Sequence, residues 1–126
     1  MTKSFIDAYN RRDYDVALKN CDPEVDWILP EHQAADSGQG HEDIRRFFVG
    51  LDETFDDLRL LPQEFVDGGD RVAVRLRHHA LGKGSGIELD AELYHQVTTF
   101  EDGRIVRIEY LTTWPAALEA AGVDLT

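Results

Sequence analysis

The order of elements in this chain predicts an α+β fold, with helices first and a long antiparallel meander after them. Three stretches of β-type composition, Arg71–Leu81, Ile87–Phe100 and Arg104–Thr113, follow a block of amphipathic segments. The last two are joined by Glu101-Asp102-Gly103-Arg104, an Asp-Gly turn between alternating flanks, which is a strong local hairpin signal. A meander of this length laid over a smaller helical block predicts a curved, mainly antiparallel sheet enclosing a pocket between the two layers.

Each element has a local cause. Phe5, Ile6 and Tyr9 line one side of a first helix that reaches Arg12, and Asp13 is placed to cap a second helix carrying Val16, Leu18 and Cys21. Asp22-Pro23 ends that helix. Val25–Leu29 reads as a short strand stopped by Pro30, which has no N–H to give to a ladder. Glu31–Gly40 is polar, with Gly38 and Gly40, and reads as a loop long enough to serve as a rim or lid. A third helix opens with Glu42 and Asp43 in its favourable first turn and sets Ile44, Phe47, Phe48, Leu51 and Phe55 at helical spacing. Leu58–Val66 reads as a further strand interrupted at Pro62, and Trp114-Pro115 opens a last helix that Gly122 stops.

Composition bounds the function classes. A chain of 126 residues is expected to form one domain spanning its whole length. Thirteen Lys and Arg against 25 Asp and Glu give a net charge of −12 with the signs interspersed. Such a surface repels phosphate backbones and anionic lipid, so neither nucleic acid nor membrane is expected as a partner. No apolar run approaches the roughly 20 residues of a membrane span, and Met1-Thr2-Lys3-Ser4 lacks a signal-peptide pattern. The single Cys21 has no partner for a disulfide, and a cytoplasmic location is expected.

Several segments together resemble the SnoaL-like branch of the nuclear transport factor 2 superfamily. They are Ala8–Asp13, Asp22–Trp27, Gly40–Phe47, Val97–Val106 and Ala117–Gly122, in that order along nearly the whole chain. The resemblance implies a cone-shaped α+β fold, usually dimeric. Its pocket hosts ketosteroid isomerases, polyketide cyclases, epoxide hydrolases, dehydratases and proteins with no known reaction. A small apolar or amphipathic ligand, a homodimer and a cofactor-independent acid–base reaction are therefore expected.

The family's catalytic groups do not carry over. The resemblance puts the donor tyrosine of the isomerases at Phe5, their base carboxylate at Leu29 and their second donor near Gln96. Phe5 and Leu29 cannot transfer protons. The acidic residue of the aldol-type cyclases falls at Thr113, so that base is missing too.

What remains are candidates read from the chain itself. Alternation puts Val72, Val74, Leu76 and His78 on one strand face and Arg75, Arg77 and His79 on the other. In the partner strand Leu89, Ala91, Leu93, His95 and Val97 alternate with Asp90, Glu92, Tyr94 and Gln96, which sets Arg77 opposite Glu92. A one-residue slip would exchange these faces. The superfamily places the Gln96 position in the cavity, so Arg77, Glu92, Tyr94 and Gln96 are candidates for a polar wall, with a solvated ion-paired face as the competing reading. Tyr9, Trp27, Phe48 and Trp114 are expected to give aromatic contact, Trp27 at the pocket mouth.

Two groups are candidate acid–base catalysts. Glu109 interrupts the apolar run of the last strand, where burial would raise its pKa, and His32 lies on the candidate lid beside Glu31. An ion pair of Glu109 with Arg107 is the alternative. His78 and His79 point to opposite faces, and His41-Glu42 lacks the second histidine of a zinc motif, so no metal site is expected. His95 reads as a packed histidine. A non-catalytic binding or dimerisation module stays open beside the enzyme reading.

Overall fold

A computed structural model describes residues 2–30, 37–82 and 87–123. Its described residues form four helices, α1 (Thr2–Asn10), α2 (Tyr14–Lys19), α3 (His41–Thr54) and α4 (Trp114–Ala120). The strands are β1 (Cys21–Ile28), β2 (Gly38–Gln39), β3 (Phe55–Asp67), β4 (Arg71–Gly82), β5 (Glu88–Ala91), β6 (His95–Glu101) and β7 (Arg104–Leu111). They build one mixed, mainly antiparallel sheet in the order β2-β1-β7-β6-β4-β3, with β5 added to the outer half of β4. This is the predicted α+β cone, its sheet open rather than closed into a barrel.

The expected caps are present. The Asp13 carboxylate accepts from the Val16 amide, Thr113 caps α4 with Pro115 in the first turn, and Gly122 sits at φ 79 just past it. Asp102 and Gly103 both take positive φ, 52 and 78, as a two-residue hairpin turn requires.

Four boundaries differ from the sequence reading. Cys21 begins β1 instead of ending α2, because it pairs in parallel with Ile105 of β7, and a register shift between Cys21 and Asp26 absorbs Pro23. Part of the expected loop, Gly38–Gln39, forms β2 against Asp26 and Trp27. Phe55 leaves the helical stripe to start β3. Pro62 does not interrupt β3, since that strand lies at the edge of the sheet and shifts register just after the proline.

A fifth difference matters most for the site. The expected strand Ile87–Phe100 is broken at residues 92–94. Before the break His78 pairs with Ala91, and after it Val74 pairs with Gln96. The partner has thus moved by one residue, which turns every later side chain to the other face. Gln96 and Thr98 join Val74 and Leu76 on the face beneath α1 and α3. His95 and Val97 turn away toward α4, where Val97 packs with Ala73, Ala117 and Ala121 and His95 meets Trp114 edge-on at 5.6 Å.

The helical layer is pinned to the far edge of the sheet. Asn10 acts like a strand residue: its Nδ2 donates to the Leu60 carbonyl at 2.8 Å and its Oδ1 accepts from the Leu60 amide at 2.9 Å. Arg12 reaches the Leu58 carbonyl at 2.7 Å and pairs with Asp52 of α3 at 3.2 Å, while Tyr14 donates to the same carboxylate. These contacts cover part of the open edge of β3 and fix α1 and α3 above the sheet. At the opposite end Gly68 lies so close to α4 that a Cβ there would stand 2.2 Å from the Ala121 carbonyl oxygen.

Candidate functional site

Between α1, α3 and the concave face of the sheet lies a cavity of about 180 Å³. Tyr9 comes from α1; Phe47, Phe48 and Leu51 come from α3; Trp27 and Tyr110 come from the paired β1 and β7. Phe55, Leu58 and Leu60 of β3, His78 of β4, and Leu89, Leu93 and Tyr94 around the broken strand complete the wall with Leu29. The aromatic rings hold one another. Trp27 meets Tyr110 at 5.0 Å, Phe47 at 5.4 Å and Phe48 at 5.9 Å, and Phe48 meets Tyr9 at 4.8 Å.

The polar groups of this wall have distinct states. Tyr110 donates to Gln96 Oε1 at 3.0 Å, and Gln96 Nε2 donates to Thr98 Oγ1 at 3.1 Å, so a closed hydrogen-bond chain runs under the cavity floor. Burial pushes the Tyr110 phenol pKa up. Tyr9 is 1% exposed, and burial raises its phenol to about 12, opposed by the Arg12 guanidinium 4.8 Å from its ring. The Tyr9 hydroxyl and the Trp27 indole Nε1 are both buried and have no hydrogen-bond partner among the described residues.

His78 is the lone imidazole of the wall among the described residues. Burial lowers its pKa to about 4, opposed by a backbone hydrogen bond with Ala91 and reinforced by the nearby His95. The Leu93 amide donates to His78 Nδ1 at 3.4 Å, so the neutral ring carries its hydrogen on Nε2. Tyr94 meets this ring edge-on at 5.9 Å. At neutral pH His78 is uncharged, a weak base and a hydrogen-bond donor. Among the described residues no carboxylate lines the cavity.

Of the residues singled out from sequence, the structure brings Tyr9, Trp27, Phe48 and Tyr94 together in the wall, with Gln96 beneath it. Trp27 is 1% exposed and belongs to the interior rather than to a mouth. Four other candidates lie outside the lining. Arg77 pairs with Asp90 and Glu92 with Arg75, each at 2.6 Å on exposed surface, in place of the expected Arg77–Glu92 pair. Trp114 opens α4 on the other side of the sheet, where the Arg75 guanidinium lies 5.9 Å from its ring. Glu109 alternates with Tyr110 and Ile108, stands opposite Val97 on that same outer side, and lies 3.6 Å from Arg107. The slip at 92–94 explains why His95 and Val97 lie on the side of α4, where His95 meets Trp114. Strand alternation explains Glu109, because Tyr110 and Glu109 cannot both face inward. His32 lies outside the described residues.

Sequence reasoning passed over His78, Tyr110, Leu29, Leu58 and Leu60. The signal for His78 was in hand, since it shares the alternation of Val72, Val74 and Leu76, the apolar face of β4. Among the described residues no group of three or more His, Cys, Asp or Glu is arranged to hold a metal ion, and no helix is long and apolar enough to cross a membrane.

An open mixed sheet wrapped over helices, with an aromatic cavity at their junction, is an NTF2-like fold. Within it the chain belongs to the SnoaL-like domain family, whose model matches residues 2–108. Among solved structures it is similar to an NTF2-like protein of unknown function from Burkholderia pseudomallei K96243. That likeness has 24% identity and a TM-score of 0.78, covering 94% of this chain and 92% of that one. It is also similar to TerC, crystallised with polyporic acid, at 25% identity and a TM-score of 0.76, covering 96% and 95%. A protein with a ketosteroid isomerase-like fold from Catenulispora acidiphila DSM 44928, in complex with trimethylamine, shares the fold at 11% identity and a TM-score of 0.77, covering 98% and 92%. No curated protein matches the sequence.

Proposed function

We propose that this chain takes an apolar, oxygenated metabolite into the aromatic cavity and that His78 handles a proton there in a cofactor-independent acid–base reaction of the isomerase, cyclase, dehydratase or hydrolase type. The observation that carries the reading is His78 itself, one imidazole set into a wall otherwise made of rings and aliphatic side chains. Neutral and nearly dry, it can accept a proton only when a bound substrate stabilises the imidazolium that results. TerC, whose structure holds polyporic acid, supports a cyclic oxygenated ligand for this kind of pocket.

Screening oxygenated apolar metabolites for turnover by mass spectrometry tests the idea. For any substrate found, His78→Gln should lower kcat by about 100-fold or more, with KM changed little. A glutamine variant that turns over at the normal rate would remove His78 from the chemistry.

A second reading has its own support. The low basicity of His78 and the lack of a lining carboxylate among the described residues suit a protein that holds its ligand without transforming it. Binding without turnover, indifferent to His78→Gln, is its signature. A homodimer is part of either reading, supported by Leu61 and Phe65, which stand 39% and 44% exposed on β3. Light scattering at micromolar concentration should give twice the chain mass, and a monomer value rejects it.

A further inference from the structure

A cavity walled by rings needs a way in, and the described wall residues differ sharply in how far they reach solvent. Tyr9, Trp27, Phe48, Leu60, His78 and Tyr110 are all buried. Phe47 and Leu51 of α3, Phe55 at the head of β3, and Leu89 and Tyr94 near the broken strand are half-buried. Leu93 is the most exposed of the described lining residues, at 38%. The cavity therefore meets solvent where the junction of α3 and β3 approaches the broken strand.

The parts of this rim are held very differently. The Phe55 amide donates to the Leu51 carbonyl, which joins β3 to the last turn of α3, and Leu89 pairs with Ala80 in the β4–β5 ladder. Residues 92–94 belong to no strand. They bridge Ala91, the last residue of β5, and His95, the first of β6, so the segment is a three-residue strap fixed at both ends. Between those ends two contacts hold it: the Leu93 amide on His78 Nδ1 at 3.4 Å, and Glu92 on Arg75 at 2.6 Å on exposed surface. The first is longer than a good N–H hydrogen bond, and an exposed ion pair contributes little. Moving any other part of the rim breaks ladder or helix bonds, whereas moving the strap breaks these two. Local opening concentrates where such bonds are few.

Resting on the cavity-binding reading above, we infer that residues 92–94 are the strap that opens for ligand passage and that Leu93 is the side chain that closes the entrance, its size governing how fast a ring enters and leaves. Closure does a second thing. The motion that seats Leu93 also brings its amide to His78 Nδ1, so the imidazole is covered and its Nδ1 is occupied only when the strap is shut. The slipped ladder thus supplies both the entrance and the group that orients the wall histidine.

The test follows exchange of fluorobenzene with the full chain by fluorine NMR, since an apolar cavity of about 150 Å³ already accommodates benzene and this one measures about 180 Å³. Leu93→Ala should raise the dissociation rate constant about tenfold or more. Leu60→Ala removes the same atoms from a buried part of the wall and should change that rate by less than about threefold. Arg75→Met breaks the pair with Glu92 without altering a lining residue, and should raise the rate about two- to fivefold. In the parent, hydrogen exchange at the Leu93 amide should proceed at a rate indifferent to low urea concentrations, because a local opening exposes little surface.

Equal acceleration by Leu93→Ala and Leu60→Ala would reduce Leu93 to one more wall residue and overturn the inference, leaving a ligand-binding cavity in place. So would exchange at the Leu93 amide that occurs only when the whole chain unfolds. Failure of fluorobenzene to bind both the parent and Leu93→Ala would overturn the cavity-binding reading together with its entrance.

Discussion

Trp27→Ala should lower the unfolding free energy by about 3–5 kcal/mol, the range for truncating a large buried aromatic side chain. Trp27 is 1% exposed and is the common neighbour of Phe47, Phe48 and Tyr110, so its removal strips contacts from α3 and β7 together. Because it already borders open space, the wall around the vacated volume has little to collapse onto, which favours the upper part of the range. Urea denaturation followed by circular dichroism measures it. A loss below about 1 kcal/mol would mean that the helical layer and the sheet are held together elsewhere. The same substitution should enlarge the cavity.

The second large effect is a loss of stability in mild acid. His78 is held neutral by burial, with its pKa lowered from about 6.5 to about 4 in the folded chain. Between those values the unfolded chain binds a proton that the folded chain refuses, so stability falls as the pH drops from about 6.5 to about 4 and is unaffected above 6.5. The full effect amounts to about 3 kcal/mol. His95, also lowered by burial, acts in the same direction. Unfolding free energies measured at pH 7, 5.5 and 4.5 should therefore decline more steeply for the parent than for His78→Gln. Parallel curves would show that the imidazole stays hydrated in the native state. Ligand binding should weaken over the same interval only as the pH approaches 4, since protonating His78 puts a charge into an apolar wall.

Much of this fold was legible because its signals are local. The Asp102-Gly103 turn, the Asp13 cap, the Ile44, Phe47, Phe48 and Leu51 stripe and the Trp114-Pro115 helix start each follow from a few adjacent residues, and the order of elements carried the rest. The site was less legible because it depends on pairing between distant strands. Alternation correctly grouped His78 with Val74 and Leu76. It failed past residue 91, because nothing in Glu92-Leu93-Tyr94 announces a slipped ladder, and so His95 and Val97 were put on one face with Leu89 and Ala91, while they lie on the opposite one. Glu109 was judged by its apolar neighbours along the strand, yet those at odd and even positions lie on opposite sides of the sheet. Arg77 was set opposite Glu92, but its acid is Asp90, and Glu92 pairs with Arg75 instead. That Tyr9 and Trp27 hold unsatisfied donors could not be read from sequence at all, since it is a statement about what surrounds them.

The parallel ladder between β1 and β7 has a consequence for how the molecule comes into being. Cys21 pairs with Ile105 and Trp27 with Ile108, while the other neighbour of β1 is the two-residue β2. Closing so long a loop is entropically costly and slow, whereas the hairpins from β3 to β7 join neighbours in sequence. On the ribosome, the aromatic segment around Trp27 is made early and must wait for Tyr110 before its main partner exists. The cavity is consequently among the last features to form. Its rings stay accessible to chaperones, or to other chains, through most of synthesis.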